Sequence, residues 1–419
     1  MSQFLIEAAG MLLRWLHIVA AIAWIGESFY FVMLDRALKP PKAAGSRVLG
    51  ELWSVHGGGF YHKQKYAGAP AQMPEDLHWS KWKSYTTWLS GAALFILLYL
   101  RSPEIYLIDP AVAALSPTQA VLLAIAFPIG AWVLYDVLCR MVGFRERLLG
   151  VLVGSGVLLM CYALTHLFAG RAAFLLAGSV LATIMSANVF LVIIPGQKRM
   201  VAALARGEVP DPLPGRRGKQ RSVHNTYFTL PVVFAMMSIH FASAYAHPHS
   251  WILLAVFMGG GALIRQFFVL WHGGERAWWL LAAGAIVVLA ALAWMAPALE
   301  TRSGAATLPP ASASAGPPAP TALQDRATGH ATEPPSIQAV QATIGRHCVA
   351  CHSAKPALLA SAPLGLVYDT PQQILAQRER IHQQTVVLRV MPPGNLTRMT
   401  EAERALLDRW FSAEAQAAQ

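Results

Sequence analysis

Through its first three hundred positions the chain alternates long apolar blocks with shorter polar stretches. Eight blocks are long enough for a helix to cross a bilayer, which takes about 20 residues. They cover residues 11–34, 84–100, 118–138, 148–168, 172–194, 227–246, 251–272 and 278–298. The second is the shortest, and it follows "WSKWKSYTTW", whose Trp and Tyr suit a membrane–water interface. Beyond residue 300 the pattern changes. "SGAATLPPASASAGPPAP" is Ala, Pro and Ser without periodicity and predicts a linker over 300–335. A small helical domain is expected over 336–419, ending in "TEAERALLDRWF", where Thr400 and Glu403 have the spacing of a capping box. The expected fold is all-α: a polytopic eight-helix transmembrane bundle over 1–299, the linker, and the small α-helical domain.

Composition agrees: 55% of residues are hydrophobic and only 13% charged, a balance foreign to soluble domains. The net charge of +11 sits in alternate loops, between apolar spans, which argues against nucleic acid as a partner. Segment 35–83 carries Arg36, Lys39, Lys42, Arg47, Lys63, Lys65, Lys81 and Lys83, and segments 139–147 and 195–223 are similarly basic. The intervening loops hold only Arg101 and Arg171. Basic loops face the cytoplasm. The chain is therefore expected in a bacterial inner membrane with its N-terminus and its C-terminal domain on the periplasmic side. The first span lacks a basic lead-in and is too long for a signal sequence, so it reads as a retained helix. Cys139 and Cys161 fall in or beside apolar blocks and read as inert buried thiols.

The other two cysteines stand in "GRHCVACHSAKP". Cys348 and Cys351 with His352 have the spacing of a c-type haem attachment site. The thiols would form thioethers and His352 would ligate the iron. A methionine opposite it raises the potential. Met391, in the Pro-flanked "VMPPGN", is the first candidate and Met399 the second. A c-type haem also places this domain outside the cytoplasm, as the charges do. Such a domain accepts electrons and passes them on.

Ionisable groups inside spans are costly and mark function by default. His17, His166 and His240 all fall toward the outer side. Two of them could hold a b-type haem; alternatively each is an interhelical hydrogen-bonding histidine. Toward the inner side lie Glu27, Asp136, Asn188, His224, Asn225, Arg265, Gln266 and His272. The inner loop "SVHGGGFYHKQKY" adds His56, Gly57, Gly58, Gly59, His62 and Lys65. Arg265 needs a counter-charge. It either pairs with Glu27 or Asp136, or it anchors a planar anion, which a guanidinium fork suits.

"RWLHIVAAIAWIGESFYFVMLD", "ELWSVHGGGFYHKQKY", "LHWSKWKSYTTW", "NVFLVIIPGQK", "SVHNTYFTLPVVFAMMSIH" and "CVACHSAKP" with "MPPGN" resemble bacterial membrane-bound urate hydroxylases of the PuuD type, a membrane domain fused to a C-terminal cytochrome c. The likeness runs nearly end to end, the linker excepted. It departs at Asn225-Thr226, where the family pattern leads one to expect Asn-Asn. "RWLHIVAAIAWIG" is also similar to other small haem-binding membrane families. The resemblance implies oxidation of urate to 5-hydroxyisourate, with electrons leaving through cytochrome c to a terminal oxidase or soluble cytochrome rather than forming peroxide. Arg265 would then hold the urate anion, with His224, Asn225, His56, His62 and Glu27 as the polar and proton-handling groups around it. Two other readings compete: a quinol-to-cytochrome c relay, and a transport or assembly protein with a tethered cytochrome.

Overall fold

The structure is a computed structural model that describes residues 3–41, 47–66, 68, 70, 73–296, 335–359 and 362–417. The expected linker lies, but for residue 335, outside the described residues.

Helix α1 (Gln3–Ala37) opens the chain. After it, strands β1 (Val48–His56) and β2 (Gly59–Tyr66) pair antiparallel, His56 opposite Gly59. This hairpin corrects the all-α expectation. Gly57 and Gly58 both take positive φ, +57° and +79°. That is the backbone a two-residue hairpin turn demands and glycine supplies at little cost. Lys65 clamps the hairpin to the end of α1 through Asp35 at 2.7 Å.

There follow α2 (Trp82–Phe95), continued by a wide turn over Ile96–Leu100, and the short α3 (Pro103–Tyr106). Next come α4 (Pro117–Val142), α5 (Glu146–Thr165) and α6 (Gly170–Ala187). A second wide turn over Asn188–Ile193 joins α6 to α7 (Ile194–Ala205). Then come α8 (Pro212–Met237), the one-turn α9 (Ala242–Tyr245), α10 (Ser250–His272) and α11 (Trp278–Met295). Among the described residues six helical stretches are long and apolar enough to cross a membrane: Leu5–Ala37, Pro117–Val142, Glu146–Thr165, Gly170–Ala205, Ser250–His272 and Trp278–Met295.

The other two expected spans are helical but differ from their prediction. The block 84–100 forms α2 and its wide turn. The block 227–246 is not one helix: α8 begins far upstream and stops at Met237, and α9 follows separately. The early start has a local cause. Asp211 accepts a hydrogen bond from the Leu213 amide at 2.9 Å, and Pro212 sits at the first turn, so the polar stretch from 212 is capped into helix.

The core of this part centres on α6, whose residues Ala172, Ala173, Phe174, Leu176, Ala177 and Val180 are fully enclosed. Small residues bring helices close: a Cβ on Gly178 would lie 3.0 Å from the Ala235 methyl of α8.

A second apolar core joins Val340, Ile344, Cys348, Ile374, Ile381, Met399, Leu407 and Trp410. It is built by α12 (Ile337–His347), α13 (Pro371–Ala376), α14 (Arg378–His382) and α15 (Glu401–Ala417). Ser336 caps α12, accepting from the Ala339 amide at 3.3 Å. The expected capping box is formed: Thr400 N donates to Glu403 Oε2 at 2.8 Å, and Glu403 N donates to Thr400 Oγ1 at 3.3 Å.

Candidate functional site

Helices α4, α6 and α8 carry a buried polar network. Its centre is Asn188, fully enclosed at the wide turn between α6 and α7. That turn has a cause. Pro195 lacks an N–H and its ring crowds the carbonyl of Leu191, so the ladder widens just before it. Asn188 Nδ2 donates to Asn225 Oδ1 at 3.0 Å and to Tyr135 Oη at 3.3 Å. Asn225 Nδ2 donates to the Met185 carbonyl at 3.0 Å. Tyr135 Oη, which accepts from Asn188, also shares a hydrogen bond with His224 Nδ1 at 2.7 Å. Asn188 Oδ1 is buried with no partner.

Beside this network Asp136 accepts from Arg221 at 2.7 Å and from Arg140 at 2.6 Å. The triad ties α8 to α4. Thr226 is buried and turned to its own helix, donating to the Ser222 carbonyl at 3.1 Å.

Arg265 on α10 is 3% exposed. Its guanidinium lies 3.8 Å from the centre of the Phe29 ring on α1, and its Nε and Nη2 meet no hydrogen-bond partner. Neither carboxylate considered for it is its partner. Asp136 is held by Arg140 and Arg221. Glu27 accepts from Lys83 at 2.6 Å and from Ser80 at 2.7 Å, closing α1 onto α2. Next to Arg265, Gln266 accepts a short hydrogen bond from Tyr227. On a helical wheel Asn225 and Tyr227 leave α8 on opposite sides, with His224 between them. Helix α8 thus lies between the Asn188 network and Arg265.

The hairpin histidines lie elsewhere. His56 is exposed at its tip. His62 stacks on Trp53 at 4.2 Å and bonds Glu51 at 2.9 Å. Among the described residues neither has a hydrogen bond or ring contact with Arg265 or His224.

His17 on α1 donates from Nδ1 to the Thr87 carbonyl at 2.9 Å. His166, at the end of α5, donates from Nδ1 to the Tyr162 carbonyl at 2.7 Å. In both, Nε2 is the lone-pair nitrogen, which is the tautomer that ligates a metal. His240 is exposed in the turn after α8. Among the described residues no hydrogen bond or ring contact joins any two of the three.

In the C-terminal unit Cys348 and Cys351 are free thiols. Cys348 is 8% exposed, and burial pushes its thiol up to about 12, so it stays neutral. His352 donates from Nδ1 to the Leu366 carbonyl at 3.1 Å and packs 4.9 Å from the Tyr368 ring. Burial lowers its pKa, so the ring is neutral with Nε2 open. Met391 is half-buried, and its carbonyl accepts from Arg404 at 3.0 Å. Met399 is enclosed in the apolar core. Among the described residues no three His, Cys, Asp or Glu side chains cluster as a metal cage. A haem iron held by one or two axial side chains needs none.

Sequence reasoning passed over Tyr135, Arg221, Phe29 and Tyr227. A signal existed for one of them: Arg221, His224, Asn225 and Phe228 recur at helical spacing, a stripe that puts Arg221 on the face of two residues already chosen.

Residues 3–296 match the model of the family described as urate oxidase N-terminal. No curated protein and no solved structure matches the chain.

Proposed function

Because the chain belongs to the urate oxidase N-terminal family, we propose that it is a membrane-bound oxidoreductase that converts urate to 5-hydroxyisourate and sends the electrons outward through its C-terminal unit. One observation carries the reading: the buried guanidinium of Arg265, with two open N–H donors. A desolvated cation costs several kcal/mol unless it is compensated. A planar anion lying against it would compensate it.

Urate is such an anion near neutral pH. Its oxidation adds water and releases two electrons and, counted from the neutral acid, two protons. Arg265 holds the negative edge of the ring, and Phe29 backs the guanidinium. His224 on α8 is the proton acceptor, its Nδ1 sharing a hydrogen bond with Tyr135 at 2.7 Å. Glu27, His56 and His62 act further out, where the basic inner loop draws the anion in.

The C-terminal unit suits a covalent c-type haem. Cys348 and Cys351 would supply the thioethers, His352 Nε2 the proximal ligand, and Met391, at the edge of the core, the second ligand in preference to the enclosed Met399. A b-type haem in the membrane part would draw on His17, His166 and His240, two of which hold Nε2 ready. Haem accepts electrons one at a time. The membrane itself, a terminal oxidase or soluble cytochrome on the outer side, and urate are the partners.

The test is an anaerobic spectrum of the purified protein before and after urate. Reduction of a c-type band together with a b-type band is the expected result. Reduction by a quinol but not by urate would replace this reading with a quinol-to-cytochrome relay.

A further inference from the structure

The segment after the second expected span is placed outside by its scarcity of basic residues, on the same side as the C-terminal unit. In the structure these two parts touch. Gly394, in the loop that carries Met391, lies against residues Ile108 and Asp109. A Cβ built on Gly394 would collide with the Ile108 carbonyl and would come within 3.5 Å of the Asp109 Cα. Only glycine permits that approach, and Gly394 also holds a φ of +54° that disfavours any other residue. Burial and the neighbouring Arg389 lower the Arg404 pKa, and Glu401 and Asp109 oppose them. Arg404 is the side chain that bonds the Met391 carbonyl.

The receiving surface is rigid. Leu107 is fully buried, and its carbonyl accepts from the Ala169 amide at 2.9 Å, which ties the segment to the start of α6. It is also the end of an aromatic row. Gly91, Phe95 and Tyr99 recur every fourth residue along α2 and its wide turn. His17 presses on Gly91, where an added Cβ would meet the imidazole at 2.9 Å. Phe95 stacks on Tyr99 at 5.6 Å, and Tyr99 meets Tyr106 of α3 at 5.3 Å. The row begins beside a histidine set aside for haem and ends at α3, next to the contact with Gly394.

We propose that Ile108 and Asp109 form the docking seat of the 391–395 loop of this same chain, and that the seat is where electrons cross from the membrane part to the C-terminal unit. The electron meaning rests on the function proposed above; the seat itself does not. With haem bound, one electron would pass from a b-type haem held by two of His17, His166 and His240, which would be oxidised, to a c-type haem held by Cys348, Cys351 and His352, which would be reduced.

Two variants of the full-length protein test it from opposite sides: Gly394→Trp and Asp109→Arg, the second outside the C-terminal unit and so unable to unfold it. The first readout is peptide-level hydrogen exchange. Both variants should speed exchange in 103–109 and 391–399 by roughly tenfold or more, with 336–347 and 401–413 still protected. Unchanged exchange in Asp109→Arg overturns the seat. The second readout is the rate of haem c reduction after anaerobic urate mixing. It should fall by roughly tenfold or more, since an intramolecular encounter has become a search. Released exchange with an unaltered rate overturns the electron crossing and leaves a structural contact. If urate fails to reduce the wild-type haem, the proposed function falls, and the exchange result still decides the seat.

Discussion

Replacing Arg265 by methionine separates a binding arginine from a structural one. A desolvated ion costs several kcal/mol. Phe29 returns about 2 kcal/mol through its ring face, and the N–H groups on two guanidinium nitrogens, Nε and Nη2, return nothing because they have no partner. The empty protein therefore carries a deficit of a few kcal/mol at this site. Methionine keeps most of the stem and removes the charge. Substitutions that replace buried charge by apolar volume stabilise by about 1–4 kcal/mol, so Arg265→Met should melt higher than the wild type without urate. With urate the order should reverse. Each lost charge-assisted hydrogen bond is worth about 1.5–3 kcal/mol, which weakens binding by roughly 10- to 150-fold. Thermal unfolding in detergent across a urate series measures both halves, because ligand stabilisation grows as RT ln(1 + [L]/Kd). A variant that melts lower than the wild type without urate, and is protected by urate to the same degree, would refute the argument. Arg265→Lys keeps the charge but loses the fork, and its main effect should be a raised KM.

The remaining predictions concern the haem sites and acid stability. His352→Ala should abolish the c-type spectrum and turnover with an external acceptor; a retained spectrum would remove His352 from ligation. His166→Ala and His240→Ala should each be read by b-type absorbance, and the variant that keeps the band is cleared as a ligand. Glu403 is held from its ordinary value of 4.5 down to about 2, first by the Thr400 amide and then by His347. Its pKa is lower folded than unfolded, so its contribution is complete above pH 4.5 and is lost as pH falls from there to about 2. Hydrogen exchange of 336–347 and 401–413 should accelerate over that window, and Glu403→Gln should already be fast above it. An equal acid response in the two proteins would rule Glu403 out as the cause.

The helices were legible because their apolar blocks are longer than any soluble core requires, and the C-terminal unit because the thiol–imidazole spacing and the Thr400–Glu403 box are local. The hairpin was written in Gly57 and Gly58 between residues of high strand propensity, but its histidines drew attention away from its backbone. The extent of α8 was misjudged for a different reason. Hydropathy marks where a helix enters lipid, whereas Asp211 and Pro212 decide where the helix begins. At the candidate site, Arg265, His224 and Asn225 stood out as costly groups in apolar surroundings. Tyr135 and Phe29 did not, since an aromatic residue in a span is unremarkable until its partner is known. The i,i+4 spacing of Asp136 and Arg140 is local, but that Asp136 also holds Arg221 joins α4 to α8, which no spacing along the chain encodes.

The irregular stretches of helix coincide with the polar groups, and this follows from the economics of hydrogen bonding in lipid. A regular membrane helix satisfies its own backbone and offers side chains only. Where a proline interrupts it, carbonyls are freed and nearby polar side chains must be arranged to suit. Pro195 widens the turn that begins at Asn188, and Pro231 stands four residues after Tyr227, which bonds Gln266. The wide turn over Ile96–Leu100 holds Tyr99 in the row that leads to Tyr106 of α3. Wide turns of this type recur at functional sites. Substitution of Pro195 by alanine would restore the ladder and move Asn188 relative to Tyr135 and Asn225. Its cost would then fall on the polar network rather than on the span, which is the behaviour of a helix shaped for what it holds.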